Sequence, residues 1–147
     1  METQAKLDLV LTHLKAEGAG DVNGAVAVYT DDVEHDVVGF PGGATTGIAG
    51  ARHFYDELTA NFRTDDEQIV RQYEHDNALV LESLMTGRVI GQMFGVAGHG
   101  KSVTFRILHV FEFRDRLISR ENVWLDAGAV VQQLTAGVRG TVQSGGR

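Results

Sequence analysis

The sequence lacks several residue types on which common functional sites depend. None of its 147 residues is cysteine, which excludes disulfides, thiolate nucleophiles, thiolate zinc sites and iron–sulfur clusters. Basic residues are also few, since 13 Lys and Arg face 20 Asp and Glu for a net charge of −7. Nucleic acids and anionic membranes are bound through clustered Lys and Arg, so we expect neither kind of partner.

No segment has the pattern of a membrane span or a secretion signal. The N-terminal stretch 1–14 alternates charged and apolar residues, and no apolar run approaches the ~18 residues of a span. The length and the 43% share of hydrophobic residues fit one globular domain. We therefore predict a single domain over 1–136, a location in the cytoplasm, and a flexible tail over 137–147.

Hydrophobic spacing predicts three helices in the first half of the chain. The stripe of the first helix is Leu7, Val10, Leu11 and Leu14, and that of the second is Val22, Ala25, Val26 and Tyr29. Asp21 is a good N-cap for the second helix, and Thr45 or Thr46 can cap the third. The third helix has the predicted buried face Ala51, Phe54, Tyr55, Leu58 and Phe62.

The rest of the chain has the pattern of β-strands that end in a final helix. Predicted strands cover 33–38, 67–74, 78–94, 103–113 and 117–125, and the helix follows from residue 127. Strands joined by short turns pair antiparallel, and helices gathered at one end of the chain cover one sheet face. This order predicts an α+β domain with a curved, mostly antiparallel sheet wrapped around three N-terminal helices and a short C-terminal helix.

Three stretches of the sequence resemble the SnoaL-like polyketide cyclases, which belong to the nuclear transport factor 2-like (cystatin-like) superfamily. They are GIAGARHFYDELTANF, GHGKSVTFRILHVFEFRDRLISRENVW and LDAGAVVQQL, and the resemblance runs over residues 5–135. It implies a cone-shaped cavity for a small hydrophobic substrate, chemistry without a metal or other cofactor, and a homodimer formed through the sheet.

The resemblance also implies two catalytic residues. In the family's cyclases an Asp before the last helix is the general acid/base, and a His on the preceding strand stabilises the developing enolate during an intramolecular aldol condensation. These two residues fall on Asp126 and His109 of this chain. An Asn at the end of the family's first strand falls on His35, which we expect to face the cavity beside Val33 and Val37.

Each catalytic candidate also has a structural interpretation. His109 shares its strand face with Val, Phe and Ile residues, so burial should lower its pKa and keep it neutral, as an enolate-binding donor or as a core histidine bonded to a backbone carbonyl. Asp126 precedes a helix, where an N-cap role lowers the carboxyl pKa, whereas burial beside Trp124 would raise it. An exposed Asp126 bonded only to its own helix would favour a non-catalytic domain.

The remaining site candidates are residues that could shape the cavity. Asn122 and Trp124 have the strand parity of Asp126, so all three should point the same way if the strand continues. Trp124 either packs in the core or forms a flat wall for a polycyclic substrate. The full set of predicted substrate-binding residues is Trp124, Asn122, His35, Tyr55 and Phe105. No pair of histidines has metal-ligand spacing, so we predict no metal site.

These observations favour one function and leave two others open. The first is Asp-based acid/base chemistry α to a carbonyl on a polyketide-like or other hydrophobic keto substrate. The second is a ketosteroid-isomerase-like isomerase or dehydratase. The third is a dimeric ligand-binding domain without catalysis, since one fold hosts many functions.

Overall fold

The structure is a computed structural model that describes residues 1–144, with side chains described through residue 136. Its helices are α1 (Thr3–Gly18), α2 (Val22–Val26), α3 (Ile48–Asn61) and α4 (Ala127–Ser144). Its strands are β1 (Tyr29–Val38), β2 (Thr45–Thr46), β3 (Phe62–His75), β4 (Ala78–Val89), β5 (Gln92–Met93), β6 (Val96–Ala97), β7 (Lys101–Arg114) and β8 (Leu117–Leu125).

Six of these strands form one mixed, mostly antiparallel sheet. Its order is β2-β1-β8-β7-β4-β3, in which β1 and β8 run parallel and the other neighbours run antiparallel. Strands β5 and β6 form a separate small hairpin. Helices α1, α2 and α3 cover the inner face of the large sheet, so the predicted fold class is confirmed.

Strand β7 has the predicted alternation of side chains. His109 and Phe111 lie on the inner face and are buried, whereas Thr104 and Arg106 on the outer face are exposed. The long pairings with β4 and β8 keep this alternation aligned across three strands. The inner row of β7 therefore forms one wall of the domain core.

Strand β8 contains a bulge that changes which of its side chains face inward. Glu112 pairs with Arg120 but Phe113 pairs with Ile118, so β8 has one extra residue, Ser119, at this point. A bulge shifts the phase of side-chain alternation by one residue. Residues before and after it therefore reach the inner face with opposite parity, as the buried Ile118 and Glu121 do.

Helix α1 buries most of its predicted face, together with two polar residues that the pattern did not include. Val10 lies in the core and Leu7 and Leu14 pack against it. Leu11 of the predicted stripe is 42% exposed, whereas Lys6 and His13 are fully buried. The Lys6 ammonium is satisfied at 2.9 Å by Glu74, which ties α1 to the β3–β4 hairpin. The buried face thus includes polar side chains that hydrophobic spacing does not detect.

Other boundaries of helices and strands also differ from the predicted ones, and two of them concern the helices α2 and α4. Asp21 caps α2 as expected, accepting a hydrogen bond from the Gly24 N–H at 2.9 Å, but Tyr29 belongs to β1 and not to α2. Helix α4 continues to Ser144, beyond the predicted boundary at 136, and residues 145–147 of the predicted tail lie outside the described residues. Along 1–144, no helix is both long and apolar enough to cross a membrane.

Candidate active site

A small cavity lies between helices α1 and α3 and the inner face of the sheet. Its volume is about 40 Å³, room for about three water molecules at roughly 10–15 Å³ each. Most of its lining is apolar: Val37, Phe40, Phe54, Leu58, Phe62, Met85, Met93, Phe105, Ile107, Val123 and Leu125. The polar lining residues are Glu17, Tyr55, Thr64, His109 and Glu121.

Glu121 is the centre of a buried hydrogen-bond network. Its Oε2 accepts hydrogen bonds from the hydroxyl groups of Tyr29 at 2.8 Å and Tyr55 at 2.6 Å. The Nε2 atom of His13 lies 3.0 Å from its Oε1, and Nε2 of His35 lies 3.3 Å from its Oε2. Helix α1, strand β1 and helix α3 thus each bring a polar side chain to one carboxylate on β8.

The surroundings of His13 and Glu121 shift their pKa values in opposite directions. The Nδ1 atom of His13 lies 2.8 Å from the carbonyl oxygen of Ala25, which can only accept, and Nε2 lies 3.0 Å from Oε1 of Glu121 and 3.2 Å from the Tyr55 hydroxyl. Burial alone would lower the pKa of His13, but the adjacent Glu121 carboxylate outweighs it and raises the pKa to about 9. Burial would raise the pKa of Glu121, but His13 holds it well below its usual range. The two form a buried ion pair.

Glu17 is a second carboxyl group on the cavity, with the opposite protonation state. It follows His13 by one helical turn, and its Oε2 lies 3.5 Å from His13 Nε2. Burial raises the pKa of Glu17 to about 8, although the nearby charge of His13 opposes this effect. The cavity therefore has a neutral acid in Glu17 and a carboxylate in Glu121, the pairing that general acid and base chemistry uses.

His109 is neutral, as its apolar row predicts. Its ring stacks on Phe111 at a centroid distance of 5.5 Å, and burial lowers its pKa to about 4. Nδ1 of His109 lies 3.9 Å from Oε1 of Glu67, which is too long for a hydrogen bond. Within the described residues this nitrogen has no hydrogen-bond partner, so the interpretation as a core histidine held through Nδ1 by a carbonyl finds no support.

Three of the predicted site residues line the cavity. They are His109, Tyr55 and Phe105. His35 is buried beside it, with Nε2 3.2 Å from the Tyr55 hydroxyl, and it lines an adjoining surface groove. These four residues, predicted from the sequence, thus lie in or beside one cavity.

The other three predicted residues do not reach the cavity. Asp126 is exposed, and its Oδ1 accepts a hydrogen bond from the Ala129 N–H at 3.0 Å, so it is the N-cap of α4. Trp124 lies on the outer face of the sheet, is 53% exposed, and donates its indole N–H to Oδ1 of Asn122 at 2.6 Å. The expectation that Asp126 and Trp124 share a cavity with His109 is therefore wrong, because the inward row of this strand is Glu121, Val123 and Leu125.

Four residues of the network were not among those predicted from the sequence. They are His13, Glu17, Tyr29 and Glu121. A signal existed for Glu121, since an acidic residue in the same row as Val123 and Leu125 is as anomalous as His109 in its row. His13 and Glu17 of helix α1 gave no such signal, because the polar residues around them in the sequence are exposed and hide the two that face inward.

A surface groove adjoins the cavity on the side of α3. Its volume is about 740 Å³, and it lies between α3, the loop at residues 39–43 and the β5–β6 hairpin. Phe40 packs against Phe54 and Phe94, with ring centroids 5.5 and 4.9 Å apart. This aromatic contact separates the groove from the cavity.

The comparisons with known proteins agree with this architecture. The sequence profile of the SnoaL-like domain matches residues 10–121. The chain belongs to the SnoaL-like family. The matched range includes His13, Glu17, His109 and Glu121 and ends before Asp126. No curated protein is similar enough in sequence to match the chain.

Solved structures of similar proteins share the fold of this chain at low sequence identity. TsrD from Streptomyces laurentii has a TM-score of 0.79 at 18% identity, over 92% of this chain and 98% of its own. A candidate polyketide cyclase from Xanthomonas campestris pv. campestris has a TM-score of 0.76 at 21% identity, over 89% of this chain and 97% of its own. An LEH-like epoxide hydrolase from M. tuberculosis has a TM-score of 0.72 at 19% identity, over 98% of this chain and 99% of its own. Together they place the chain in the nuclear transport factor 2-like fold.

A resident metal ion has no ligand set in the part of the chain that the structure describes. No group of three or more His, Asp or Glu side chains there has a geometry that could hold a metal ion. The polar groups on the cavity are instead arranged as donors and acceptors to one another.

Proposed function

We propose that this protein is a cavity enzyme that performs acid/base chemistry α to a carbonyl on a small, hydrophobic keto substrate. The observation that carries the proposal is that two carboxyl groups, Glu17 and Glu121, line one apolar cavity and flank the same nitrogen of His13, at 3.5 and 3.0 Å. Two carboxyl groups whose surroundings drive their pKa values apart are suited to opposite halves of a proton transfer.

In this mechanism Glu121 accepts the α-proton in place of Asp126. Glu121 lies on the cavity surface, and its position on β8 is fixed by the hydroxyl groups of Tyr29 and Tyr55. The ion pair with His13 weakens it as a base, because protonating the carboxylate would leave a buried imidazolium without a counter-charge. Glu121 therefore gains basicity when His13 loses its proton.

His109 is the proposed donor to the oxygen that gains negative charge. A neutral imidazole carries one N–H, and in an apolar site a hydrogen bond to a developing enolate contributes about 3 kcal/mol. The carbonyl end of a substrate would lie against His109 and Glu121, and its hydrocarbon part against Phe105 and the other apolar walls. Ring closure by an aldol step would then follow from attack of the enolate carbon on a second carbonyl.

Substrate admission requires the cavity to widen, because its volume of about 40 Å³ is too small for a keto ester. The surface groove beside α3 is the proposed entrance, since it shares Phe40, Phe54 and Met93 with the cavity wall. Rotation of Phe40 away from Phe94 would join the two spaces.

The test is turnover of a panel of β-keto esters and cyclisable diketones by variants of matched shape. Glu121→Gln keeps the size of the side chain but cannot accept the proton, so activity should fall by roughly 10²–10⁴-fold. The activity of His109→Phe should be lower than that of the wild type by about 10²-fold or more, because the variant lacks the proposed donor to the enolate oxygen. Asp126→Asn is the control, because Asn is an equally good N-cap and the side chain lies outside the cavity.

The outcome for Asp126→Asn separates this mechanism from the one implied by the family resemblance. Wild-type turnover in Glu121→Gln together with lost turnover in Asp126→Asn would return the acid/base role to Asp126. Lost turnover in Glu121→Gln with normal turnover in Asp126→Asn supports the cavity carboxylate.

Two other functions remain as alternatives. An isomerase or dehydratase of the ketosteroid-isomerase-like type would use the same base, and the product distinguishes it because only cyclisation leaves a new ring. A ligand-binding domain without catalysis is favoured by the exposed, helix-capping Asp126. It would bind keto compounds with unchanged affinity in Glu121→Gln and turn over none of them.

The homodimer expected from the resemblance is also proposed, with the outer face of the sheet as its contact. Trp124 and Leu84 lie on this face and are exposed by 53% and 36%. Arg106 and Glu82, 2.7 Å apart, lie between them on the same face, because Arg106 is in register with Leu84 and Glu82 with Leu108, the neighbour of Trp124. Exposed aromatic residues and arginines are enriched in protein contact surfaces.

A further inference from the structure

The cavity adjoins two surface pockets whose shared walls differ in chemistry. Towards the large groove the shared wall is apolar, formed by Phe40, Phe54, Leu58 and Met93. The second pocket, of about 420 Å³, lies where the end of α1 meets the second half of α3 and the start of β3. Its shared wall contains two polar side chains, Glu17 and Thr64.

Glu17 connects this second pocket with the buried network. Its side chain lines both spaces and is 18% exposed, whereas His13 and Glu121 are at most 1% exposed. Oε2 of Glu17 lies 3.5 Å from Nε2 of His13, and the same nitrogen lies 3.0 Å from Oε1 of Glu121. The three groups form a continuous series from the surface to the cavity carboxylate.

We propose that Glu17 is the port through which protons pass between solvent and the His13–Glu121 pair, separate from the aromatic groove that admits the organic substrate. Water in the second pocket is the molecule that exchanges protons with Glu17. The importance of this exchange for catalysis rests on the proposed function, because Glu121 becomes a better base when His13 is neutral.

The transfer needs no reactant besides water. Glu17 first releases its own proton to water in the second pocket. The resulting carboxylate then accepts the Nε2 proton of His13, so that one N–H bond breaks and one O–H bond forms. The reverse sequence restores the charge of His13, whose Nδ1–H stays bonded to Ala25 throughout. With pKa values of about 9 for His13 and about 8 for Glu17, neither direction is strongly uphill.

Other titratable groups around this series do not offer the same route. Asp56 and Arg63 line the second pocket but not the cavity. Tyr29 and Tyr55 bond to Glu121 and do not line the second pocket, and burial raises the pKa of both hydroxyl groups well above the usual value. Of these groups, Glu17 is the one that lines both spaces.

The experiment measures how fast the Nε2–H of His13 exchanges with solvent, by NMR on protein labelled with ¹⁵N-histidine. Glu17→Gln keeps the shape of the side chain but cannot relay a proton, so exchange should slow at least tenfold. Glu17→Asp keeps the carboxyl group and should be intermediate. Asp56→Asn, in the same pocket, should exchange at the wild-type rate.

A second comparison tests whether protons reach His13 through the aromatic groove and not through Glu17. Phe40→Ala widens the aromatic barrier and should leave the exchange rate of His13 unchanged. Wild-type exchange in Glu17→Gln, or acceleration in Phe40→Ala, would overturn the proposal. Urea unfolding of each variant verifies that exchange does not occur through global unfolding. No turnover is needed, so this result is independent of the activity test of Glu121→Gln.

Discussion

His13 and Glu121 form an ion pair in the interior of the domain, with Nε2 3.0 Å from Oε1 and neither side chain more than 1% exposed. Removing one partner of such a pair leaves the other charge buried and uncompensated, at a cost of about 3–5 kcal/mol. We therefore expect Glu121→Ala to lower the free energy of unfolding by this amount, measured with urea at neutral pH.

Glu112→Ala is the matched control for that measurement. Its carboxylate is 43% exposed and lies 3.7 Å from Arg120 on the surface, where such pairs contribute about 0–1 kcal/mol. Equal losses in the Glu112 and Glu121 variants would contradict a charged, buried pair. A double variant with His13→Ala should recover part of the Glu121→Ala loss, because the orphaned imidazolium is then absent.

Glu17 and His13 together predict that the domain loses stability towards alkaline pH. The folded pKa of Glu17 is about 8 against an ordinary 4.5, so its contribution is fully present below 4.5 and is lost as the pH rises through 8. The folded pKa of His13 is about 9 against 6.5, so its contribution is likewise lost as the pH rises from 6.5 through 9. The free energy of unfolding should fall across this interval.

The variant Glu17→Gln separates the two contributions. An amide does not ionise, so the variant should lose less stability than the wild type between pH 5 and 8, and the remaining decline belongs to His13. Asp56→Asn, on the surface nearby, should follow the wild-type profile. A profile of Glu17→Gln that coincides with the wild type would mean that Glu17 is already ionised at neutral pH.

His109 predicts an effect of opposite sign on the acid side. Burial places its folded pKa at about 4 against an ordinary 6.5. A lowered folded pKa contributes stability that is present above 6.5 and is lost as the pH falls through 4. The C2 proton of His109 should titrate in NMR with a midpoint near 4, and a midpoint above 6 would show that the ring meets solvent.

The phase of strand β8 explains why the sequence pattern placed His109 on the inner face of the sheet but did not place Glu121 there. Ile118 is an inner residue, and strict alternation from it would turn Asn122 and Trp124 inward. The extra residue Ser119 reverses this phase, so Glu121 faces the cavity. A one-residue bulge leaves no signal in the hydrophobic pattern of a sequence. Strand β7 has no bulge near His109, so its alternation of side chains could be interpreted directly.

Helix α1 was harder to interpret for a different reason. Its inner face includes buried polar groups that meet distant partners, such as Lys6 bonded to Glu74 and His13 beside Glu121, and hydrophobic periodicity does not detect them. The partners lie far away in the sequence, so the burial of His13 depends on contacts that only the folded chain reveals. The fold class needed only the order of elements, which composition and spacing predict well.

Asp126 has a testable role as an N-cap. Asp126→Ala removes the acceptor of the Ala129 N–H and should cost about 1 kcal/mol of unfolding free energy, whereas Asp126→Asn should cost almost nothing. Urea unfolding of both variants measures this difference. A loss in Asp126→Asn as large as in Asp126→Ala would show that the negative charge has a role beyond capping.

Trp124 predicts the effect of one surface change on assembly. Its indole is 53% exposed on the outer face of the sheet, where a second copy of the chain would cover it in the proposed homodimer. Trp124→Glu would place a charge at the centre of that contact and should convert the dimer to monomer in light scattering. Leu11→Glu, at a 42% exposed site on α1, is the control and should stay dimeric. A wild-type protein that is monomeric would contradict the proposed homodimer. Dimers that survive Trp124→Glu would mean that the contact lies elsewhere, because a contact centred on Trp124 could not tolerate a buried, unpaired carboxylate.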